Sequence, residues 1–342
     1  MKPSCRIVSS DYLDGDVYLN VRGFYAAAGF QLLDRGSASP KLLVVLRGDN
    51  GSSWSDFSGQ VHVFDYVKEY RVDWPARYPQ ASSIQLISLE NPGPIAADPR
   101  LRWVRGYLPV LPALWSRPAQ RRRQRPVHLS NYKRMSGDPF QEQLLGLIRA
   151  GLVEVFGGRW QLVGVSSKAL SYLQANRLIA RSASCFGLMW PYQRGRTLSG
   201  RMWQAPLNGC FVFSEPGADP LGCPGVIAAE CFDATTAARR FSPESCSALA
   251  VEADRFWRQH SAALAAEIGL DPGSAQPAGW PLLRLRLLLL LWDLEFQGQQ
   301  LMDRVGAMLA PPVAALRRRL AAGAKALGMH QHQRRQRRRP HQ

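Results

Sequence analysis

The chain has 342 residues, of which 46% are hydrophobic, and it carries a formal net charge of +17. This length and hydrophobic content suffice for two folded domains and exclude a chain that is disordered throughout. Nine basic residues and no acidic residue lie beyond Leu316, which leaves a net charge of +8 for the first 316 residues and places much of the excess in a tail.

The first 115 residues predict a parallel sheet with intervening helices. Short apolar runs bounded by turn residues predict four strands, at residues 5–9, 41–46, 60–67 and 83–89. Between the first two, residues 17–33 have apolar side chains at helical spacing. Strand, helix and strand in this order indicate a parallel sheet, so we predict a Rossmann-like domain over residues 1–115.

Residues 116–126 hold two prolines and five arginines and predict a linker between domains. Two interpretations of its arginines are open. They are either part of a solvated loop or a patch that attracts phosphate at the mouth of a cleft.

The alternation starts again after the linker. Strands are predicted at residues 127–131, 152–156, 184–189, 210–213 and 226–231, and longer helices at 139–150, 166–175 and 242–269. Asp138 is the predicted N-cap of the first of these helices, because Pro139 and Gln141 follow it. We therefore predict a second Rossmann-like domain over residues 127–270.

The C-terminal part consists of predicted helices over residues 271–316 and a basic, disordered tail over 317–342. Residues 280–310 are very rich in leucine. One interpretation is a helix that packs back on the first domain. The other is attachment of residues 280–342 to an anionic membrane surface.

The cysteines and the N-terminus indicate a reducing compartment. No two of the six cysteines have the two-residue spacing of a zinc or redox motif, and the N-terminus lacks the apolar core of a signal peptide. The longest apolar run, residues 287–292, is far shorter than the roughly 18 residues that span a bilayer. We expect a cytoplasmic protein. Under the membrane-attachment interpretation of residues 280–342, it lies peripherally on the inner membrane face.

One segment of the second half carries the most informative pattern. Along it stand, in order, Arg201, Trp203, Ala205, Gly209, an apolar strand, Ser214 and Glu215. This order resembles the donor-domain signature of bacterial GT-B glycosyltransferases of the group 1 type, and especially their spore-maturation-like branch. The resemblance is strongest over residues 127–269.

The resemblance implies an α/β fold of two Rossmann-like domains facing a cleft, in which a sugar moves from a nucleotide-sugar to a glycan, lipid or protein acceptor. Two positions depart from the pattern, since Gln204 replaces a carboxylate and Arg196 stands where retaining relatives have an acid. A retaining mechanism through that acid pair is therefore not expected. A non-catalytic nucleotide- or glycan-binding protein of the same fold is the alternative.

The donor diphosphate is predicted to lie at the start of the helix that follows residue 198. Ser199, Gly200 and Arg201 stand there, where backbone N–H groups and a bidentate guanidinium favour phosphate oxygens. Pro206 predicts that this helix is short or kinked, and Gly209 that it ends in a left-handed residue. The resemblance implies that Glu215 accepts hydrogen bonds from the ribose.

Further donor contacts are predicted on two loops. Lys133 and Arg134 follow the strand at 127–131 and are candidates for neutralising the leaving nucleoside diphosphate, against the alternative of a solvated loop. Tyr192, or its neighbour Trp190, is a candidate for stacking on the base, against the alternative of ordinary packing.

The acceptor hydroxyl needs a general base, for which we favour Asp11 or Asp14 on the loop after the first strand. Asp65 and Glu69 are weaker candidates, and His62 is expected to be a core residue. No metal and no cofactor besides the nucleotide-sugar is assigned. A nucleic-acid-binding protein is the third alternative, but no sequence-specific nucleic-acid motif accompanies the basic tail.

Overall fold

The structure, a computed structural model, describes residues 2–9, 15–33, 40–46, 54–66, 72–117, 122–132, 134–135 and 137–302. The chain divides into two compact units, Met1–Leu290 and Leu291–Gln342. The first unit holds all of the strands described below. Of the second unit, residues 291–302 are described, and they are helical.

A parallel sheet of six strands, in the order β2-β1-β3-β4-β5-β6, forms the first half of Met1–Leu290. Its strands are β1 (Ser4–Ser9), β2 (Gln31–Leu32), β3 (Leu42–Leu46), β4 (Gln60–Phe64), β5 (Ser83–Ser88) and β6 (Leu101–Arg105). Its helices are α1 (Gly15–Ala27), α2 (Trp74–Arg77) and α3 (Pro112–Trp115). All five residues of β3 are buried, as expected for a parallel strand that is covered on both faces.

A second parallel sheet follows, in the order β11-β10-β9-β7-β8. Its strands are β7 (Val127–Leu129), β8 (Glu154–Phe156), β9 (Ser184–Phe186), β10 (Phe211–Ser214) and β11 (Val226–Ala228). Its helices are α4 (Pro139–Arg149), α5 (Tyr172–Ala180), α6 (Gly200–Gln204), α7 (Ala234–Ala238) and α8 (Pro243–Glu267). The predicted α/β fold with two Rossmann-like parallel sheets is confirmed.

The two sheets share one strand order. In each, the first strand lies between the second and the third, so the chain crosses to the other side of its starting strand after the second strand. This creates a topological switch point between β1 and β3, and another between β7 and β9. In open α/β sheets, ligands bind beyond the carboxyl ends of the strands at such points.

Helix α8 connects the two halves. Near its start, Gly209 packs so closely on it that a Cβ at this position would collide with the carbonyl oxygen of Cys246. Near its end, the Ser261 hydroxyl accepts a hydrogen bond from Val110 N (3.1 Å) and donates one to Val110 O (3.0 Å). A single long helix thus contacts residues of both halves, Gly209 before β10 and Val110 after β6.

Several sequence-based boundaries are wrong in instructive ways. The helix predicted at 166–175 begins instead at Tyr172, because Ser171 and Gln174 form a reciprocal capping box. The helix predicted at 17–33 ends at Ala27, and after Gly29 (φ +86°) the chain forms the edge strand β2. Strand β6 is not predicted from the sequence, because this edge strand buries only Leu101 and Val104 and exposes two arginines.

The end of α6 agrees with the sequence-based prediction. The helix stops at Gln204 after five residues, and Pro206–Asn208 continues as a 3₁₀ turn. Gly209 then adopts a left-handed conformation with φ +66°.

The described part of the linker lies at the amino edge of the second sheet. Arg122 Nη1 donates to the carbonyl oxygens of Ala180 (3.0 Å) and Ser182 (3.3 Å), and Arg123 pairs with Glu154. Ser182 precedes β9, so these two arginines do not stand at the carboxyl edge, where the cleft-mouth interpretation needs them. Residues 118–121 lie outside the described residues.

Candidate functional site

A cavity of about 150 Å³ opens at the carboxyl edge of the second sheet. Its walls come from the loops after β7 and β9, the turn after β8 and helix α4, so it lies at the switch point between β7 and β9. Its aromatic lining residues are Tyr132, Trp160 and Trp190, and its polar ones are His128, Ser130, Asn131, Gln141, Gln193 and Ser199. This volume accommodates one ring system of a ligand and is below the roughly 300–1,000 Å³ typical of pockets that enclose a drug-sized molecule.

One wall forms where the turn after β8 is bonded to the loop after β7. Gly158 N donates to Asn131 Oδ1 (2.6 Å), and Trp160 Nε1 donates to Ser130 O (2.7 Å). Gly157 has φ +142°, and a Cβ there would collide with the Ser130 carbonyl group. Only glycine permits this close approach, which holds the Trp160 ring at the cavity.

His128 contributes a buried imidazole to the cavity. Its Nδ1 lies 3.0 Å from Phe186 O, and because a carbonyl oxygen only accepts, Nδ1 carries the proton. Burial lowers the pKa of His128 to about 4, partly offset by the bond to Phe186 O, so the ring is neutral at pH 7. The Nε2 atom of this neutral ring is therefore a hydrogen-bond acceptor.

A buried ionic network fixes the loop after β9. Arg194 Nη2 lies 2.8 Å from both carboxylate oxygens of Asp138, and its Nε donates to Glu215 Oε1 (3.0 Å). The side chains of both acids are 1% exposed and that of Arg194 is 21% exposed. Asp138 stands at the predicted N-cap position of α4, but its side chain serves Arg194 and makes no capping bond. The network thereby ties β10, α4 and the loop that carries Trp190 together.

Glu215 directly follows β10, at the strand end where the sequence predicts a ligand-binding carboxylate, and it is buried. Its Oε1 accepts from Met189 N (3.0 Å) as well as from Arg194, and its Oε2 accepts from the Ser214 hydroxyl (3.0 Å). Burial raises the pKa of Glu215, against the lowering effect of these hydrogen bonds. Because Met189 and Trp190 line the cavity, Glu215 supports the cavity wall from behind.

Ser199 and Arg201 stand beside the cavity. The Ser199 hydroxyl lines it and accepts from Arg201 N (3.2 Å), which makes Ser199 the N-cap of α6. Arg201 Nε donates to the carbonyl oxygen of Leu129 (3.2 Å), the last residue of β7, and its Nη1 donates to Gln204 Oε1. The guanidinium group is thus held at the end of β7, one residue from Ser130 in the cavity lining.

The first sheet approaches this turn through the start of α1. A Cβ placed on Gly200 would lie 3.7 Å from Asp16 Oδ2, and Gly15 N donates to the Tyr172 hydroxyl (2.9 Å) at the start of α5. These contacts place the first residues of α1 beside the Ser199–Arg201 turn and the start of α5.

Two polar contacts also join the loop after β9 to the carboxyl ends of β4 and β5. Arg196 pairs with Glu90 (2.8 Å), and the Thr197 hydroxyl donates to Tyr66 O. Arg196 therefore joins the loop after β9 of the second sheet to the end of β5 in the first.

The remaining predicted site residues are placed as follows. Asp11, Asp14, Lys133 and Glu69 lie outside the described residues. Arg134 is exposed. Tyr192 is 41% exposed and stacks on Trp190 (5.9 Å between ring centroids), and of these two aromatic residues Trp190 lines the cavity. His62 is a core residue as expected, with Nδ1 2.6 Å from the Tyr25 hydroxyl.

Sequence reasoning missed His128, Gln141 and Trp160 as cavity residues. The signal for Trp160 was present, since two glycines follow β8 immediately before Arg159 and Trp160, a turn typical of a close backbone approach. His128 and Gln141 carry no such signal, because one lies inside a strand and the other inside a helix.

In the described part of the chain, no group of three or more histidine, cysteine, aspartate or glutamate side chains is arranged to hold a metal ion. Among the same residues, no helix is long and apolar enough to cross a membrane.

Solved structures show which fold this architecture matches. The DNA modifying enzyme beta-glucosyltransferase is 9% identical with a TM-score of 0.53, and the match covers 78% of this chain and all of that one. A T4 phage beta-glucosyltransferase structure is 8% identical with a TM-score of 0.45, covering 87% of this chain and 99% of that one. A Listeria monocytogenes protein assigned as a UDP-N-acetylglucosamine 2-epimerase is 12% identical with a TM-score of 0.46, covering 80% and 98%.

The match to the first of these structures shows that the chain has the GT-B glycosyltransferase fold. No protein-family model and no curated protein matches the chain. The fold expected from the donor-domain pattern is therefore confirmed, and the spore-maturation-like branch stays a prediction.

Proposed function

We propose that the protein is a glycosyltransferase that moves a sugar from a nucleotide-sugar to a glycan, lipid or protein acceptor without a metal ion. The observation that carries this proposal is the cavity at the β7/β9 switch point, with Ser199 and Arg201 beside it. The structurally similar beta-glucosyltransferase is described with the substrate uridine diphosphoglucose, which supports a nucleotide-sugar as the donor class.

The base would enter the cavity and stack on an indole ring. Trp160 and Trp190 line the cavity, and Tyr192 stacks on Trp190 from outside it. The neutral His128 offers an acceptor at Nε2 for a donor group of the base. Glu215, for which the resemblance implies a ribose contact, would act through the loop that it holds, because its carboxylate lies behind the cavity wall and its side chain is 1% exposed.

The diphosphate would lie at the Ser199–Arg201 turn. Because α6 has only five residues, its dipole is small, and the guanidinium group of Arg201 would supply most of the stabilisation. Lys133 and Arg134, on the loop after β7, would add positive charge. In the transfer step these cations offset the charge that develops on the departing nucleoside diphosphate.

The general base would come from the loop after β1. In an inverting transfer, Asp11 or Asp14 takes the proton of the acceptor hydroxyl, whose oxygen attacks the anomeric carbon while the bond to the diphosphate breaks. The nearness of Asp16 to Gly200 supports this assignment, since Asp16 is two residues from Asp14.

Arg201→Ala tests the proposal. We expect loss of sugar transfer and of donor hydrolysis in a protein that still folds, with a melting temperature lowered by several degrees. The charged guanidinium gives up hydrogen bonds to Leu129 O and Gln204 Oε1, each worth about 1.5–3 kcal/mol. The donor is first found by thermal shift with a panel of nucleotide-sugars. Arg181→Ala is the matched control, an exposed arginine that precedes β9 at the opposite edge of the sheet. A fully active Arg201→Ala protein would contradict the proposal.

A non-catalytic binding protein of the same fold is the second candidate. It is favoured by Gln204, which stands in place of a carboxylate and accepts a hydrogen bond from Arg201. The two candidates differ in turnover. The binding protein retains nucleotide-sugar affinity but never releases nucleoside diphosphate.

A further inference from the structure

One side of the helix over residues 279–290 is apolar and exposed. Trp280, Leu283, Leu287 and Leu290 are 59%, 45%, 47% and 44% exposed, respectively, and form what we term the leucine face. They recur every three or four residues and so lie along one stripe of the helix. Elsewhere in the described part of Met1–Leu290, large hydrophobic residues with comparable exposure occur singly, at Leu152, Leu162, Tyr192 and Val251. A stripe of this kind indicates an interaction surface.

The opposite side of the same helix is already buried. Leu285 is 3% exposed and Leu289 is 1% exposed. A Cβ placed on Gly23 of α1 would lie 2.6 Å from Leu285 Cδ1, so the helix packs closely on α1. The leucine face is therefore the outward side of a docked helix, and its exposure needs a different explanation from a missing core contact.

Arginines flank the leucine face on both sides. At helical spacing, Arg284 lies on one edge of the stripe and Arg286 on the other. The Arg284 guanidinium lies 5.2 Å from the centre of the Trp280 ring, and Arg286 Nη2 donates to Ala113 O (2.8 Å). Apolar side chains bordered by arginines are typical of helices that lie in a membrane interface.

More positive charge without an acidic partner lies next to Arg286. Burial, and after it the charges of Arg286 and Arg177, lowers the pKa of half-buried Arg117. Among the described residues, none of these three arginines forms an ion pair with a carboxylate. An anion beside the leucine face would relieve their mutual repulsion.

The chain after residue 290 also carries exposed apolar side chains and positive charge. In the second unit, Leu291, Leu294, Leu301 and Met302 are exposed. The 40 residues from 303 to 342 contain ten arginines and lysines and a single acid, Asp303. Each basic residue held near an anionic membrane adds about 1 kcal/mol of attraction, and an apolar insertion together with a basic segment gives stable binding where either alone is marginal.

We propose that the leucine face binds an anionic lipid surface, with Trp280 and the leucines at the boundary of headgroups and acyl chains and the arginines against lipid phosphates. A second copy of the chain is a poorer occupant. Two apposed leucine faces would bring the like charges of Arg284 and Arg286 from both copies together. This inference goes beyond the proposed glycosyl transfer and does not depend on it.

Co-sedimentation of the full-length protein with vesicles tests the proposal. Neutral vesicles are pure phosphatidylcholine, and anionic ones contain about one third phosphatidylglycerol. We expect binding to anionic vesicles at least about tenfold tighter than to neutral ones, and weakened by about 0.5 M NaCl. The variant with Leu283→Asn, Leu287→Asn and Leu290→Asn should lose at least about tenfold in affinity, because three apolar insertions are removed.

The controls separate the leucine face from other effects. Leu162→Asn with Val251→Asn changes two comparably exposed apolar residues elsewhere and should bind anionic vesicles like wild type. A second full-length variant with Arg317→Gln, Arg318→Gln and Arg319→Gln should retain apolar insertion but show weaker dependence on salt. Melting temperatures and nucleotide-sugar shifts show whether each variant is folded and whether its donor site is intact.

Three results would overturn the proposal. The first is wild-type affinity of the triple leucine variant for anionic vesicles. The second is equal wild-type binding to neutral and anionic vesicles. The third is no vesicle binding together with a dimer in sedimentation that the leucine variant abolishes, which would make a second copy the occupant. None of these results bears on donor binding at the cavity.

Discussion

The first and second sheets have the same strand order, but their buried histidines lie in different surroundings. His62, in β4, lies in the core with Nδ1 against the Tyr25 hydroxyl at 2.6 Å. His128, in β7, donates from Nδ1 to Phe186 O and lines the cavity. Burial lowers the pKa of both to about 4. A lowered histidine pKa therefore does not by itself indicate a binding group, and it is the position at a cavity beside a switch point that makes His128 a candidate.

The acidic residues at the carboxyl edges of the two sheets also differ in burial. Its carboxyl edge buries Asp138 and Glu215 around Arg194. In the first sheet, the described pair at the corresponding edge is Glu90 with Arg196, and it is partly exposed. The carboxyl edge of the second sheet is thus held by buried charges, and that of the first sheet by a partly exposed ion pair. Breaking the two contacts should therefore cost different free energies of unfolding.

The largest effect is expected from Arg194→Ala. It leaves two buried carboxylates without their cation, so we expect a loss of about 3–5 kcal/mol in the free energy of unfolding, measured by urea denaturation. Loss of the shift induced by a nucleotide-sugar should accompany it, because the loop carrying Trp190 is released. A loss below about 1 kcal/mol would show that the network does not hold this edge.

Acid should destabilise both halves through their neutral histidines. In the unfolded state each histidine takes up a proton near pH 6.5, whereas in the folded state His62 and His128 do so only near pH 4. Between these pH values the unfolded state therefore binds more protons than the folded state. The stabilisation is complete above pH 6.5 and is lost towards pH 4, by up to about 3 kcal/mol for each histidine. Urea denaturation across this range should show a slope reduced by one proton in His128→Gln, and likewise in His62→Gln. Unchanged slopes would mean that the histidines titrate normally.

Tyr25→Phe separates the core histidine from the cavity histidine. Removing the hydroxyl deprives buried His62 of its partner, so we expect a loss of about 1–3 kcal/mol in unfolding free energy and no change in nucleotide-sugar affinity. His128→Gln should instead reduce that affinity by about tenfold, measured by calorimetric titration. Equal effects of the two variants on affinity would remove the distinction between the sheets.

The smallest effect is expected at the Arg196–Glu90 pair. Because both side chains are partly exposed, Arg196→Ala should cost no more than about 1 kcal/mol, and the cost should shrink with added salt. A double-mutant cycle with Glu90→Ala measures the coupling free energy directly. A coupling free energy as large as the loss caused by Arg194→Ala would contradict the expectation that the contact at the carboxyl edge of the first sheet is the weaker one.

The cavity shows how far sequence reasoning reached. Polar residues after β7, the Ser199–Arg201 turn and the loop after β9 were all predicted at one sheet edge, because carboxyl ends of parallel strands coincide. The contribution of α4 through Gln141 and of the β8 turn through Trp160 was not predicted. The periodicity of a segment does not indicate that a helix residue, or a turn two elements away, lines the same cavity.

Asp138 combines a position that the local sequence predicts with a side-chain partner that it does not. Proline at the next position made it the N-cap, which is a local property of the chain, and the helix does begin there. Its side chain accepts hydrogen bonds from Arg194, 56 residues further along on the loop after β9, a partner that only the tertiary fold brings to the start of α4.

The amino-acid sequence by itself determined the alternation of strands and helices, the short α6 before Pro206 and the left-handed turn at Gly209, since each depends on backbone preferences of neighbouring residues. Only the tertiary structure decided which histidine lies at a cavity, which carboxylates share an arginine and which side of the helix over residues 279–290 stays exposed. These depend on contacts between residues far apart in the chain, whose free energies no local pattern encodes.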